Sequence, residues 1–292
     1  MPTTPCSLLL TALPLTLSLL AEPVKIACVG DSITQGAGLS NPALESYPAR
    51  LQRLLGTNYV VRNYGVSGRT LLKQGDFPYW KEAFFKQSHD WQPDVVIIKL
   101  GTNDSKPYNW RYGTNFVADY EEFVTSYASL ASAPRIIVCT PCPVYGNGAF
   151  DIKPGTVATN IAPAIRDLAA RRQLELVDLH TRLAGHPEWF PDTVHPNSRG
   201  MAAMAAIIHD ALMGGSPSET APALNWDRVT PGRIVLRWSA SWAGLVVQTT
   251  TVLRDSGVAW TVVEAVPNNV GAELRQTNST SGTPRFYRLW QP

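Results

Sequence analysis

The 292-residue chain is 45% hydrophobic and 16% charged, with a formal net charge of +2; an average soluble protein is about 25% charged. No polybasic run, acidic tail or heptad array appears, which excludes a nucleic-acid partner and a long coiled coil. Four scattered cysteines exclude a disulfide scaffold, and the length suits two domains better than one average domain.

Residues 7–20 carry no charge and have the length of a signal-peptide apolar region. The run is too short for a spanning helix and is interrupted by Pro14. Ala21 offers a small residue for cleavage, although a basic leader is missing. The expectation is a signal peptide over residues 1–22 and a secreted or periplasmic bacterial protein. The other reading, a buried first helix, must place Pro14 in its middle. Cys6 precedes the apolar run, so it cannot be a lipoprotein cysteine following a signal.

Beyond it, apolar runs at 24–29, 59–63, 94–100, 135–140 and 174–179 predict strands. Val95-Val96-Ile97-Ile98 and Ile136-Ile137-Val138 are continuous and β-branched, as in strands buried on both faces of a parallel sheet. Helical spacing is predicted at 47–55, 116–130, 161–172 and 198–213, with Gly56 as a C-cap for the first. This alternation predicts an α/β domain, a doubly wound three-layer α/β/α sandwich over 23–213. In such sheets the chemistry lies beyond the carboxyl ends of the strands.

Each of those ends carries a polar motif. Strand one runs into Gly30-Asp31-Ser32, which places a serine like a nucleophile but is also ordinary turn chemistry. Strand two ends at Gly65, whose backbone can approach a ligand closely or simply make a tight turn. Strand three ends in Gly101-Thr102-Asn103-Asp104, where Asn103 can donate into the same space and Asp104 reads as a helix cap. Asp192 and His195 stand three residues apart, a spacing that within one helical turn lets a carboxylate orient an imidazole. His180, beside Asp178, is the rival base. No metal-ligand pattern is present, so neither metal nor cofactor is expected. Cys139 and Cys142 form a lone C-x-x-C, compatible with a redox pair, half a metal site or a local disulfide; a structural role, as a disulfide in an exported protein, is the expectation. Cys28 reads as a small buried thiol.

These four segments, in this order, resemble the SGNH (GDSL-type) hydrolases, a superfamily of serine esterases. The resemblance covers about residues 24–213 and implies a flavodoxin-like five-stranded parallel sheet. It implies Ser32 as nucleophile, His195 as base and Asp192 as orienter, with the Ser32 and Gly65 N–H groups and the Asn103 side chain as oxyanion hole. The stretch Lys99-Leu100-Gly101-Thr102-Asn103-Asp104-Ser105-Lys106-Pro107 is similar to carbohydrate or sialate O-acetylesterases, so an acetylesterase acting on carbohydrate is the first expectation. A broad arylesterase, lysophospholipase or thioesterase is the second. A secreted sugar-binding protein with a retired site is a third, of a different class.

Aromatic and polar clusters near the strand exits suit a sugar ring with a small acyl group. Asp31, Arg69, Tyr79, Trp80, Trp110 and Arg111 are the expected substrate contacts, although Trp80 reads equally well as core packing. No long apolar lid segment appears, against a lipase working at an oil interface. Small and proline residues at 214–224 predict a linker. Over 225–292 short runs at 233–240, 244–253, 259–265, 271–277 and 285–290 predict a small all-β sandwich. Five of the nine tryptophans lie there, and core packing is preferred over sugar binding for them.

Overall fold

The computed structural model describes residues 22–214, 224–230, 232–239, 245–252, 259–263, 265, 267–270, 273–279 and 285–290. All of the expected signal segment but residue 22 and most of the expected linker lie outside the described residues, as does Trp242.

Five strands, β1 (Val24–Gly30), β2 (Tyr59–Gly65), β3 (Val95–Lys99), β4 (Arg135–Cys139) and β5 (Glu175–Val177), form one parallel sheet in the order β2-β1-β3-β4-β5. Helices α1 (Ser32–Gln35), α2 (Tyr47–Leu55), α3 (Ala83–Asp90), α4 (Phe116–Ala128), α5 (Ala162–Arg172) and α6 (Ser198–Leu212) accompany it. Side chains alternate across the sheet and sort the core into two halves. Ile26, Cys28, Val95, Ile97, Ile137 and Cys139 pack on Tyr47 and Leu51 of α2 and on Met201, Met204 and Ile208 of α6. Ala27, Val29, Val96, Ile98, Ile136 and Val138 pack on Phe116, Tyr120, Phe123 and Tyr127 of α4 and on Ile165 and Leu168 of α5. Residues of β3 are therefore buried on both faces, which is why that strand reads as an unbroken apolar run.

From β1 the chain moves to β2 on one side and later to β3 on the other, so the strand order reverses between β1 and β3. That reversal leaves a crevice at the carboxyl ends. Register sharpens its position: Gly65, Gly30 and Lys99 stand abreast across three adjacent strands. Glycine is required at two of these places. A Cβ on Gly30 would lie 2.1 Å from Thr34 Oγ1 and 2.6 Å from the Lys99 carbonyl. One on Gly65 would lie 2.2 Å from the Gln35 nitrogen. The segments leaving β1, β2 and β3 thus emerge side by side.

Three cysteines correct the disulfide expectation. Cys28, Cys139 and Cys142 are buried free thiols. Burial pushes all three pKa values up, that of Cys142 to about 11.

The C-terminal residues form antiparallel strands. β6 (Asn225–Thr230), β7 (Arg233–Ser239), β10 (Asn268–Val270) and β11 (Glu273–Ser279) make one sheet; β8 (Val246–Thr250), β9 (Thr261–Val262) and β12 (Phe286–Trp290) make another. Trp238 is a core residue, whereas Trp226 is exposed and Trp260 lies beneath the Arg288 guanidinium. The tryptophan skew therefore has no single cause.

Candidate active site

Ser32 begins α1 immediately after β1. Asp31 caps that helix by accepting the Ile33 N–H through Oδ1 at 3.0 Å. As the first helical residue, Ser32 has an N–H with no carbonyl one turn earlier to receive it. Its Oγ lies 2.9 Å from His195 Nε2, and His195 Nδ1 lies 2.6 Å from Asp192 Oδ2. The three side chains expected from the sequence therefore stand in one hydrogen-bonded line.

Asp192 and His195 do not lie on a helical turn, as their spacing suggested. They sit in a tight loop before α6, where Asp192 Oδ1 accepts the Val194 N–H at 3.0 Å and the His195 N–H at 2.6 Å. Between them Thr193 has φ +72°, a left-handed conformation that a β-branched residue rarely adopts. Surrounding bonds hold it there. Thr193 donates its N–H to the Phe190 carbonyl, its carbonyl accepts from Tyr145 N, and its Oγ1 accepts from Ala149 N. The Asn197 side chain caps α6 directly behind the histidine. Burial pushes the Asp192 carboxyl up, but the His195 amide, the His195 ring and the Val194 amide outweigh it and hold the pKa below the usual carboxylate value. Asp192 is thus an anion aimed at the ring.

His180 has no comparable company. Its neighbour Asp178 is held by Arg166 at 2.9 Å and by Thr140, and burial, followed by the Arg166 charge, lowers the His180 pKa.

The expected oxyanion donors are partly engaged. Asn103 is 5% exposed and gives one amide hydrogen to the Arg69 carbonyl at 3.1 Å, which leaves its second for a ligand. The Gly65 N–H, expected to be free, is instead donated to Asn63 Oδ1 at 2.9 Å. Asp104 is more than a cap. It is fully buried and accepts the Leu71 and Leu72 N–H groups, so it ties the end of β3 to the loop that carries Arg69. Burial raises its pKa to about 7 against those two bonds.

Substrate contact is corrected for several of the expected residues. Asp31 is fully buried and paired with Lys99, both of whose distances to its oxygens are 3.1 Å. Tyr79 is fully buried and donates its hydroxyl to the Tyr64 carbonyl. Trp80 packs on Phe123 and Phe85 and donates to the Leu71 carbonyl. Trp110 packs on Phe116, and exposed Arg111 lies over Tyr112. Arg69 alone of the six is bonded to a site residue, through its backbone; its side chain pairs with Glu82.

Lys99 is a residue whose importance sequence reasoning missed. Its Nζ is fully buried and uses all three N–H donors, two on Asp31 and one on Thr102 Oγ1 at 2.8 Å. The signal was present: a lysine ending the run Val95-Val96-Ile97-Ile98 cannot be buried without a partner. Phe150 was missed without any such signal. It is 59% exposed, and its ring centroid lies 5.3 Å from that of His195.

Among the described residues no group of three acidic, histidine or cysteine side chains could hold a metal, and no helix is long and apolar enough to cross a membrane.

Comparison with known proteins places the chain in a family. An acetylxylan esterase from Xylanibacter ruminicola is 37% identical over 209 residues, which cover 65% of this chain and 43% of that protein. The shared segment is thus less than half of that relative's length. A carbohydrate acetylesterase from Sinorhizobium meliloti superposes with a TM-score of 0.55 at 20% identity, over 65% of this chain and 99% of its own. The M. smegmatis aryl esterase gives 0.54 at 20% identity, over 65% and 99%. At such identities the likeness to the two structures is one of fold. The GDSL-like Lipase/Acylhydrolase family matches residues 28–203, a span that runs from β1 into α6 and includes Ser32, Asn103, Asp192 and His195. The chain belongs to that family.

Proposed function

We propose that this chain is a serine esterase that removes O-acetyl groups from carbohydrate, xylan in the first place, through an acetyl-enzyme. The observation that carries the reading is the unbroken line from Asp192 through His195 to Ser32, with 2.6 and 2.9 Å contacts. Ser32 Oγ attacks the acetyl carbonyl while His195 Nε2 takes its proton. The tetrahedral oxyanion is received by the Ser32 N–H and the second Asn103 amide hydrogen. Its collapse breaks the bond to the sugar oxygen, which leaves with the proton from His195. Water then attacks acetyl-Ser32, gives its proton to the same nitrogen, and acetate departs as Ser32 recovers its hydroxyl hydrogen. Anionic Asp192 stabilises the imidazolium at each stage. With the Gly65 N–H occupied by Asn63, two donors rather than three carry the oxyanion in this conformation. Asn103→Ala is therefore expected to lose about 100- to 1,000-fold in kcat, with KM and melting temperature little changed. A loss below tenfold would remove Asn103 from the hole.

The acetyl-xylan assignment draws on the Xylanibacter relative, and the uncharged residues 7–20 support export of the protein to where such a polymer is met. The broad arylesterase reading is separated by comparing acetyl with octanoyl esters of one chromogenic alcohol. The proposal expects acetyl to be preferred at least tenfold in kcat/KM; a preference for octanoyl overturns it. The retired sugar-binding reading predicts no labelling of Ser32 by an organophosphonate, whereas the assembled line of three predicts stoichiometric labelling.

A further inference from the structure

We infer that Phe77, Tyr108 and Phe150, edged by Asp76 and Asp151, form the subsite that receives the sugar ring on the leaving-group side of the scissile ester. This rests on the proposed carbohydrate esterase function and specifies how the sugar is held. The three are the most exposed aromatic side chains between residues 22 and 214, at 55%, 44% and 59%. A single exposed aromatic needs no explanation. These three come from three separate segments, following β2, β3 and β4, with Tyr108 in the short helix Pro107–Trp110, and the segments are tied to one another around the site.

The links run from the base to the oxyanion side. Phe150 stands edge-on to His195, 5.3 Å between centroids. Asp151 follows it, in a loop whose Lys153 N–H is donated at 3.1 Å to Ser105 Oγ, three residues before Tyr108; on the other side of Tyr108, Asn109 reaches Asp76. Asp76 is set by Asn109, which accepts the Asp76 N–H and donates to its Oδ1, both at 2.9 Å. Phe77 comes next, with the Arg69 guanidinium 5.5 Å from its ring centre, and the Arg69 carbonyl receives the Asn103 amide. The rim therefore closes on the two groups between which the ester must lie.

Phe150 is held out rather than left out. Phe150 and Asp151 have φ of +56° and +61°, two successive left-handed residues that are not glycine. On either side the loop is tied back, by Ala149 N to Thr193 Oγ1 at 3.0 Å and by Lys153 N to Ser105 Oγ at 3.1 Å. Those anchors join the loop to the segment bearing His195 and to the segment bearing Asn103.

The chemistry of the rim selects its ligand class. A pyranose has an apolar face of C–H groups, which suits an aromatic ring, and an edge of hydroxyls, which donate to carboxylates. A long acyl chain would be ill served, since it would have to desolvate Asp76 and Asp151 without replacing their water contacts. Arg69 is already paired with Glu82, and Lys106, 6.0 Å from the Tyr108 ring centre, is outnumbered by Asp76 and Asp151, so the rim has no excess of positive charge to attract an anionic sugar. The fitting ligand is a neutral oligosaccharide.

The test measures kcat and KM for acetylated xylotriose and for ethyl acetate in the wild type and in Phe77→Ala, Tyr108→Ala and Phe150→Ala. With xylotriose esters, KM is expected to rise about tenfold in Phe150→Ala, as for loss of one good aromatic contact, and kcat/KM to fall at least tenfold further than it does with ethyl acetate. Tyr108→Phe should retain most of what Tyr108→Ala loses. Binding of unacetylated xylotriose to Ser32→Ala, measured by calorimetry, should weaken when Phe150→Ala is added. Equal losses on the two esters, carried by kcat, would mean that Phe150 only steadies His195 and would overturn the subsite. So would rim variants that match the wild type on both. A wild type that hydrolyses ethyl acetate yet releases no acetate from the oligosaccharide overturns the proposed function itself, and the subsite with it.

Discussion

Ser32→Ala is expected to lower ester hydrolysis by about 10⁴- to 10⁶-fold while leaving the melting temperature within a degree or two of the wild type. The loss is large because the nucleophile and base act as a unit. Once Oγ is gone, the His195 nitrogen 2.9 Å away has no proton to take. The fold is spared because Ser32 contributes its backbone, not its side chain, to α1, and the Asp31 cap remains. His195→Ala should cost nearly as much, and the double variant little more than either, since residues of one catalytic unit are strongly non-additive. Acetate release and thermal denaturation on the same preparations check this. A Ser32→Ala enzyme retaining more than about 1% of wild-type kcat would sink the assignment.

The second large effect falls on stability. Lys99→Met should destabilise the parallel-sheet domain by about 3–5 kcal/mol, because removal of one partner leaves Asp31 charged in a place without water. At about 2–4 °C per kcal/mol for a domain of this size, the melting temperature should fall by roughly 6–20 °C. Lys99→Met combined with Asp31→Asn should recover more than half of that loss, since the amide oxygen introduced at position 31 can still accept the Ile33 N–H and no charge is stranded. A double variant no more stable than the single one would show that the pair contributes packing rather than charge balance. Both side chains are completely buried, so salt should barely change the result.

Much of the sheet was legible because β1, β3 and β4 are buried on both faces. Val95–Lys99 and Arg135–Cys139 had no other reading than interior strands, and α2 ended where Gly56 said it would. Helix α3 escaped notice because its apolar residues are few and only Ser88 is buried. The line of Ser32, Asp192 and His195 was legible because Ser32 follows the end of β1 and because Asp192 stands three residues before His195, close enough for a carboxylate to reach the ring. The substrate contacts were not. The clusters at 77–80 and 108–112 were located, but their composition could not say which ring faces inward. Tyr79 and Trp80 went to the core, and Phe77 and Tyr108 remained outside. Phe150 depends on two successive left-handed residues, its own conformation being one that a bulky side chain rarely adopts, so nothing local announced it.

The free thiols carry a wider consequence. Cys28 and Cys139 belong to β1 and β4, and Cys142 lies just past β4, all within one half of the core. With burial holding them protonated, they are poor nucleophiles and poor substrates for oxidation. The parallel-sheet domain is therefore assembled by side-chain burial without a covalent staple. Among the described residues no disulfide is needed to hold the folded sheet, and burial shields its thiols equally in a reducing compartment or an oxidising one.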